Sequence, residues 1–411
     1  MREAERGAGA AGMRRHNLAL VLRLITESGP VSRVELAGRT GLTKATVSSL
    51  VSELLEAMLV HDIGPAGGTT AGGRPATLLE PAPLGPLAVG LQFDLDHVAG
   101  CLVDLGGRVR ARELRRVHAA GLGPRELVGA LRPLLGRLLT AAVDAGRLVA
   151  GVGVAAPAVM AATEDADDPL LAWAPQFGWR DADLHAALSG ALTALGAPGM
   201  AVRIGNDAAC AARAEFRAGH PDAGLALYLG GESEIGACVV ADGVPRPGVR
   251  LGGSAFGHVP LRPRGARCPC GARGCLDSYA GRAALLTAAG RPDQGLTRMT
   301  GGARLSTALT STEAGQRAVA AAADALGEAL GPLLAVLDPD LVVLGGRLGG
   351  LGDAVLEPLR RRLSGFVPGL AEPIPLRAAT LGPDAAMRGA ALAIVGQIVA
   401  EPLAWITEMF G

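Results

Sequence analysis

The sequence is poor in aromatic residues and almost devoid of lysine. Tryptophan, tyrosine and phenylalanine make up 3% of its 411 residues, whereas 60 residues are glycine. Lys44 is the only lysine in the chain. A core short of aromatic rings and rich in small residues favours closely packed α/β layers with tight turns over an aromatic-rich β-sandwich. The length predicts two or three domains of ~100–200 residues each.

Net charge and long apolar runs are also lacking. Lysine plus arginine and aspartate plus glutamate both number 39, so any contact with nucleic acid must come from a local basic patch. The amino-terminal residues hold no apolar signal-peptide core, and runs such as 390–400 are too short to cross a bilayer. We therefore expect a cytoplasmic protein without a membrane partner. Three of the six cysteines fall between 268 and 275, which in a reducing compartment indicates a metal site rather than disulfides.

The first 80 residues carry the pattern of a small helical unit. Apolar residues recur with the helical period between 13 and 28, and Gly29-Pro30 ends this first helix. Ser32 and Glu35 form a capping box that starts a short second helix, which stops at Gly41. Thr43 caps a third helix with a long apolar face. That face comprises Val47, Leu50, Val51, Leu54 and Met58.

The polar side of the third helix starts with small residues that suit entry into a DNA groove. The second helix of a helix-turn-helix presents its first residues to base edges and phosphates in this way. A glycine-rich tip at 67–75, within the extended segment 60–79, resembles a wing that carries Arg74 toward the DNA backbone or the minor groove. Residues 1–80 are thus predicted to be a winged helix-turn-helix; the alternative is a three-helix bundle that contacts protein. The expected DNA contacts are Arg33, Thr43, Lys44, Ala45, Thr46, Ser48, Ser49 and Arg74.

The pattern of the remaining residues predicts two α/β lobes. A cluster of proline and glycine at 81–86 marks a domain boundary. Three short strands, a helix at 124–145 and a strand at 148–155 then give the β-β-β-α-β order that opens an actin-like lobe. A second series runs from residue 201 and includes strands at 225–229, 236–240 and 341–344. We expect lobes at 81–200 and 201–411 with a cleft between them, and a last helix, from about residue 384, that packs back on the first lobe.

One histidine and three cysteines have the spacing of a closed zinc site. His258, Cys268, Cys270 and Cys275 follow the pattern H-x9-C-x-C-x4-C. One imidazole and three thiolates form a tetrahedral ligand set that zinc prefers. Gly271 and Gly274 allow the tight turns that bring the thiolates together. The sequence therefore predicts a structural zinc ion held by these four side chains, the alternative being a chance cluster of free cysteines.

The same region carries a family resemblance. Phe256-Gly257-His258 and the run Cys-Pro-Cys-Gly-Ala-Arg-Gly-Cys-Leu-Asp at 268–277 resemble the signature of the ROK (repressor, open reading frame, kinase) family. The resemblance covers nearly the whole chain and includes the segments 72–75, 173–179, 206–209, 338–346 and 389–391. It implies a winged helix-turn-helix followed by a two-lobed actin-like, ribonuclease H-like sugar-kinase fold.

The resemblance also implies a sugar site. Asn206 and Asp207 match an Asn-Asp pair that binds sugar hydroxyls, in which the Asp accepts the hydroxyl proton in the kinases of the family. His258 is expected to face the sugar as well as the zinc. Asp277 stands where the family has a glutamate, and Ala255 where it has another. The expected sugar ligands are Asn206, Asp207, His258 and Asp277, with Asp207 as a vestigial catalytic base; the Asn-Asp pair alone would also suit a helix cap.

The phosphate-binding turns depart from the family pattern. Sugar kinases of this fold have two glycine turns, Asp-x-Gly-Gly-Thr and Gly-Thr-Gly-x-Gly, whose amides hold ATP phosphates. The corresponding segments here are 94–97 and 230–234, which carry Asp96, Glu232 and Glu234. A carboxylate ~4 Å from a phosphate oxygen costs about 4 kcal/mol per charge pair at an effective dielectric of about 20. Kinase activity is not expected.

Three functional hypotheses follow. The first is a repressor of carbohydrate genes, a homodimer or homotetramer that binds a double-stranded operator under control of a sugar or sugar derivative. The second is an ATP-dependent sugar kinase with an appended DNA-binding unit. The third is a zinc-stabilised binding protein that acts without DNA.

Overall fold

The computed structural model describes residues 2–65, 77–161, 170–220, 223–246, 255–290, 302–364 and 373–410. The amino-terminal part contains helices α1 (Arg2–Ser28), α2 (Arg33–Thr40) and α3 (Lys44–Glu56) and strands β1 (Val31–Ser32), β2 (Val60–Pro65) and β3 (Thr77–Pro81). The strands form an antiparallel sheet in the order β1-β3-β2. The glycine-rich tip expected at 67–75 lies outside the described residues.

The helix signals of the sequence act as expected in this unit. The Ser32 hydroxyl accepts a hydrogen bond from the Glu35 amide while the Glu35 carboxylate accepts one from the Ser32 amide, so the capping box is confirmed. Thr43 caps α3 through the amide of Thr46. The prediction that Met58 lies on the buried face of α3 is wrong: the helix ends at Glu56, and Met58, with φ of 54°, is 52% exposed.

The first α/β lobe is built on a five-stranded sheet. Its elements are β4 (Leu87–Phe93), β5 (His97–Asp104), β6 (Val109–Arg116), α4 (Pro124–Asp144), β7 (Val149–Ala156) and β11 (Ala201–Asn206), with strand order β11-β7-β4-β5-β6. Along the chain, β7 and β11 are separated by a small antiparallel sheet and a helix. The sheet consists of β8 (Val159–Ala161), β9 (Leu170–Ala174) and β10 (Trp179–Ala182), and the helix is α5 (Leu184–Ala194). The expected lobe boundary at residue 201 comes too early, because β11 pairs in parallel with β7.

The second lobe repeats the same arrangement. Helix α6 (Asp207–Gly219) leads into β12 (Leu225–Gly230), β13 (Gly236–Ala241) and β14 (Val244–Arg246), then come β15 (Leu341–Leu344) and β16 (Leu376–Ala378). The strand order is β14-β13-β12-β15-β16, in which three antiparallel strands are followed by two parallel ones, as in the first sheet. The predicted α/β class is confirmed by these two repeated sheets.

Helices cover the second sheet and join the lobes. They are α7 (Asp277–Ala280), α8 (Arg282–Ala288), α9 (Gly302–Thr310), α10 (Glu313–Leu337), α11 (Gly346–Gly349), α12 (Asp353–Ser364), α13 (Ala385–Ala400) and α14 (Pro402–Phe410). Helix α13 lies on β4 and β7 of the first sheet and along α6. The contact is close because the strands offer glycines: a Cβ on Gly90 would lie 1.9 Å from the carbonyl oxygen of Met387, and one on Gly153 2.0 Å from that of Ala390.

One hydrophobic cluster runs from the amino-terminal unit into the first lobe. It joins apolar residues of α1 and α3, such as Leu22 and Leu54, to Val103 of β5 and Ile394 of α13. The segment between β3 and β4 is a short turn in which the Gly85 amide donates to the carbonyl of Ala82. The amino-terminal unit therefore shares a core with the first lobe.

One helix of the described residues is long and apolar enough to cross a membrane. It is α10, and a bent pair formed by 382–400 and 402–408 passes the same test of length and composition. In α10, 56% of the apolar window is buried, and Leu326 and Leu330 lie in the core of the second lobe. The packing of α10 is that of a core helix.

Candidate functional site

The four predicted metal ligands lie together beside the cleft. The ligand atoms of His258, Cys268, Cys270 and Cys275 all lie within 4.8 Å of one another. The sulfur atoms of Cys270 and Cys275 are 3.7 Å apart, and Nδ1 of His258 lies 3.5 Å from the sulfur of Cys268. Zinc–sulfur bonds of about 2.3 Å in a tetrahedron separate the sulfur atoms by roughly 3.8 Å. The spacing of the side chains therefore suits a tetrahedral ion.

The chemistry of this ligand set also suits a soft divalent metal. Burial, together with the neighbouring thiols, raises the pKa of Cys268 to about 12, and burial raises the pKa of Cys275 as well. A bound dication reverses this preference, since it stabilises the thiolate that coordinates it. The cluster can hold a metal ion with Nδ1 of His258 as the imidazole ligand, and this leaves Nε2 of His258 to face the cleft.

The Asn-Asp pair lies at the start of α6, on the floor of the cleft. Asn206 caps the helix by accepting from the Ala209 amide, and its side-chain nitrogen donates to the carbonyl of Ala158 and to Oδ1 of Asp207. Burial, with added repulsion from Asp94 and Glu232, raises the pKa of Asp207 to about 7. The helix-cap and ligand-binding interpretations of Asn206 are thus compatible, and Asp207 is a carboxyl group that can exchange a proton near neutral pH.

His258, Asp277 and Glu234 lie close to one another. Oε2 of Glu234 lies 3.8 Å from Nε2 of His258, and Oδ1 of Asp277 accepts the Ile235 amide. Burial raises the pKa of Asp277 to about 7 and, helped by the charges of Asp277 and Asp207, that of Glu234 to about 9. The structure therefore brings Asn206, Asp207, His258 and Asp277 together around one side of the cleft, with Glu234 among them.

The first phosphate-turn segment is tied to the second lobe. The hydroxyl of Ser233 donates to Oδ1 of Asp94, across the cleft. Asp96 accepts a hydrogen bond of 2.7 Å from the guanidinium of Arg282, and the exposed fractions of the two side chains are 2% and 4%. On its other oxygen, Asp96 contacts Nδ1 of His97 at 2.7 Å. Two carboxylates at the position of a kinase phosphate turn thus bind groups of the opposite lobe.

A second buried arginine completes this contact. The guanidinium of Arg347 lies 3.2 Å from the carboxylate of Glu232 and 3.9 Å from that of Asp94. The cavity beside these residues has a volume of about 20 Å³, room for about one water molecule. The carboxylates of Asp96 and Glu232 therefore pair with arginines, and little open space remains between these side chains.

The first turn of α3 presents an exposed surface. Lys44, Ala45, Ser48 and Ser49 are exposed, Thr46 is half-buried, and Thr43 is held as the helix cap. On the opposite side, Val47, Leu50, Val51 and Leu54 are buried. The structure thus places the small polar residues expected to meet DNA on one accessible side of the helix, and Arg74 lies outside the described residues.

Several basic residues of the amino-terminal unit have acidic partners. Arg14 pairs with Glu53 at 2.6 Å, and Arg33, one of the predicted DNA contacts, lies 3.4 Å from Asp62. Within the described part of the chain, no ion pair is found for Lys44. Lys44 is consequently the cation of the α3 surface that is available to a phosphate.

No sequence motif singled out Arg282 and Arg347 as residues of the site. Each lies at the start of a short helix, and Arg347 directly follows Gly345-Gly346 after a buried strand. The available signal was an arginine directly after a glycine at a helix start, at a strand–helix turn for Arg347 and at a helix–helix turn for Arg282. Their acidic partners precede them by more than a hundred residues along the chain, so only the assembled cleft identifies the pairs.

Residues 88–397 match the sequence profile of the ROK family. Among curated proteins, a putative xylose repressor of Caldicellulosiruptor sp. (strain Rt8B.4) is 27% identical over 359 residues, which are 84% of this chain and 86% of that protein. The DNA-binding transcriptional dual regulator NagC of Escherichia coli (strain K12) is 24% identical over 270 residues, covering 66% of this chain and 63% of that protein.

Two solved structures show the same fold. A ROK family transcriptional regulator, a homologue of the E. coli MLC protein, covers 96% of this chain and 99% of its own with a TM-score of 0.74 and 20% identity. A ROK family glucokinase from Streptomyces griseus, in complex with glucose and AMPPNP, covers 75% of this chain and 98% of its own with a TM-score of 0.59 and 23% identity.

Proposed function

The chain belongs to the ROK family, and from this premise we propose that it is a DNA-binding transcriptional repressor controlled by a sugar or sugar derivative. The observation that carries the proposal is the extent of the fold. The regulator structure matches 96% of the chain, whereas the glucokinase matches 75%. The family profile begins at residue 88, so the amino-terminal unit is additional to the kinase-like body.

The amino-terminal unit is proposed to be a winged helix-turn-helix. The exposed first turn of α3, with Lys44 unpaired by acidic residues in the described chain, is its recognition surface. Strands β2 and β3 are the stem of the wing, whose tip would bring Arg74 to the DNA backbone. Lys44 supplies charge, and Ala45, Ser48 and Ser49 allow the helix to approach the bases closely.

We propose three domains with boundaries adjusted to the sheets. Residues 1–81 form the DNA-binding domain. The first lobe runs from 82 to 206 and includes α13, and the second lobe runs from 207 to 384 with the zinc loop. Zinc at His258, Cys268, Cys270 and Cys275 would fix the loop that carries His258 and leads to Asp277. Repressors of this kind read inverted repeats as dimers or as dimers of dimers, and they act in the cytoplasm, where the DNA is.

The alternative function is an ATP-dependent sugar kinase. The fold similarity to a glucokinase and the raised pKa of Asp207, which suits a proton acceptor, favour it. Against it stands the contact between the lobes, where Asp94, Asp96 and Glu232 pair with arginines in the space for phosphates. Recognition of a sugar needs the hydroxyl partners but not a phosphate cradle, so we propose a sensor without kinase activity.

One set of measurements separates these functions. The purified protein is used to enrich duplexes from a random pool, and binding is titrated with D-xylose, N-acetyl-D-glucosamine and D-glucose. We expect an enriched inverted repeat whose affinity changes with at least one sugar, and no sugar-dependent consumption of ATP in a coupled assay. Failure to enrich any duplex, or steady phosphorylation of a sugar, would refute the proposal.

A further inference from the structure

One backbone carbonyl in the last turn of α1 has no amide to bind within the helix, and the sequence explains why. In an α-helix the carbonyl of Thr26 would accept the amide of residue 30, but residue 30 is a proline and has no N–H. Arg217 of α6 fills this gap: its guanidinium donates to the carbonyl of Thr26 at 3.4 Å and to that of Leu105 at 3.1 Å. A cation at this position also complements the negative end of the α1 dipole.

The opposite end of α6 is the floor of the proposed sugar site. Asn206 caps this helix and Asp207 is its first residue. From Asp207 to Arg217 the helix rises roughly 15 Å, at about 1.5 Å per residue. One rigid element of thirteen residues therefore has the ligand-facing pair at its first turn and the cap of α1 in its last turn.

Contacts in both halves of α6 hold the helix so firmly that its two ends must move together. Glu215 is fully buried and accepts three hydrogen bonds, from the amide and hydroxyl of Thr380 and the amide of Leu381. On another side, α13 approaches so closely that a Cβ on Gly389 would lie 1.6 Å from the carbonyl oxygen of Cys210. A helix packed at this density responds to a ligand as a body rather than by bending.

We propose that α6 transmits occupancy of the sugar site to the DNA-binding domain, and that Arg217 is the positioning residue through which it does so. The inference rests on the proposed function and names the regulation of the same site. A ligand that forms hydrogen bonds with Asn206 and Asp207 shifts α6, and Arg217 transmits that shift to the last turn of α1. Helix α1 leads through Gly29-Pro30 and the short strand β1 into α2 and α3, so its orientation sets the position of the recognition surface.

Coupling is measured as the ratio of two affinities. The affinity of the wild type for its enriched duplex is determined with and without a saturating amount of whichever of D-xylose, N-acetyl-D-glucosamine or D-glucose it binds. Allosteric couplings commonly correspond to about 5- to 150-fold changes in affinity. In Arg217→Met, which keeps the aliphatic stem but removes the donors, we expect this ratio to fall to within about twofold of unity, with the sugar dissociation constant from calorimetry unchanged.

Matched variants separate this role from a general loss of packing. Arg213→Met changes an arginine one turn earlier on α6, for which the described residues show no hydrogen bond to α1, and it should keep the wild-type ratio. Arg217→Lys keeps the charge and a nitrogen that can donate hydrogen bonds, and should restore part of the coupling. Should Arg217→Met not fold, hydrogen exchange of the wild type decides: sugar must change amide protection at residues 27–32.

The outcomes distinguish the two proposals. A wild type that responds to sugar while Arg217→Met responds equally overturns the role of Arg217 and leaves the repressor function standing. Unchanged exchange at 27–32 in a wild type whose DNA affinity does respond overturns it as well. A wild type whose duplex binding no sugar of the panel alters overturns the sugar-controlled repressor and this inference together.

Discussion

The contact of Asp96 with Arg282 offers the sharpest test of how the two lobes are held together. The two side chains are 2.7 Å apart, and their exposed fractions are 2% and 4%. At an effective dielectric of about 20 their attraction amounts to about 6 kcal/mol, offset by the cost of removing both charges from water. Replacing Arg282 by methionine leaves a buried carboxylate without one of its cationic partners, and such changes cost about 3–5 kcal/mol.

His97 makes the expected loss depend on pH. Although burial lowers it, the hydrogen bond with Asp96 and the charges of Asp94 and Asp96 raise the pKa of His97 above its usual value. A raised pKa means that the stabilisation by protonated His97 is complete below about pH 6.5 and is lost as the pH rises through the raised value. In Arg282→Met, protonated His97 is the cation that remains in hydrogen-bond contact with Asp96. The loss should therefore be larger at pH 9 than at pH 6.

The assay is urea unfolding followed by circular dichroism at both pH values. The control is Arg112→Met, which breaks a bidentate pair with Asp384 whose side chains are 44% and 30% exposed, and such surface pairs contribute about 0–1 kcal/mol. The double variant Arg282→Met with Asp96→Asn removes the orphaned charge and should recover at least about 1 kcal/mol of the loss. A loss no greater than that of the control, or a double variant with strictly additive losses, would refute this reasoning.

Four further predictions concern the other sites. Lys44→Ala should weaken duplex binding and lower the slope of log affinity against log salt by about one. Cys270→Ser should reduce bound zinc below one ion per chain in elemental analysis. Gly389→Ala should destabilise the protein by about 1–3 kcal/mol in urea unfolding, because its Cβ would lie 1.6 Å from a carbonyl oxygen of α6, whereas Gly396→Ala, with nothing within 4 Å, should be nearly neutral. The pKa of Asp207 is raised from 3.8 to about 7, so the stabilisation of the folded state by protonated Asp207 is complete below pH 3.8 and is lost as the pH rises to about 7. Asp207→Asn should therefore flatten the pH dependence of the free energy of unfolding between these two pH values.

Each of these predictions has a result that contradicts it. An unchanged salt slope would remove Lys44 from the DNA contacts. A wild type free of zinc after purification in its presence would show that the cysteine cluster is misinterpreted. Equal stability of the two alanine variants would mean that α6 and α13 are not in close contact. If the free energy of unfolding had the same pH dependence in Asp207→Asn and the wild type, the carboxyl group of Asp207 would be more exposed to solvent than the structure shows.

Several features of the structure follow from interactions between residues that are close together in the sequence. The capping box at Ser32 and Glu35 and the cap at Thr43 need only residues three positions apart, so propensity and hydrogen bonding fix them without tertiary contacts. The spacing of the metal ligands from Cys268 to Cys275 is also a short-range feature, since eight residues hold three thiols and two glycines. Met58 was misplaced because the helical period says nothing about where the helix stops.

The sequence by itself determined the helices of the amino-terminal unit, the alternation of strands and helices that makes two α/β lobes, and the four side chains of the metal cluster. These follow from short-range chemistry: caps, apolar periods and ligand spacing. Only the tertiary structure decided that β11 belongs to the first sheet, that Arg282 pairs with Asp96 and Arg347 with Glu232, and that Arg217 caps α1. Each of these contacts joins residues far apart in the chain, and its energy comes from burial and charge, which exist only once both lobes have folded and met.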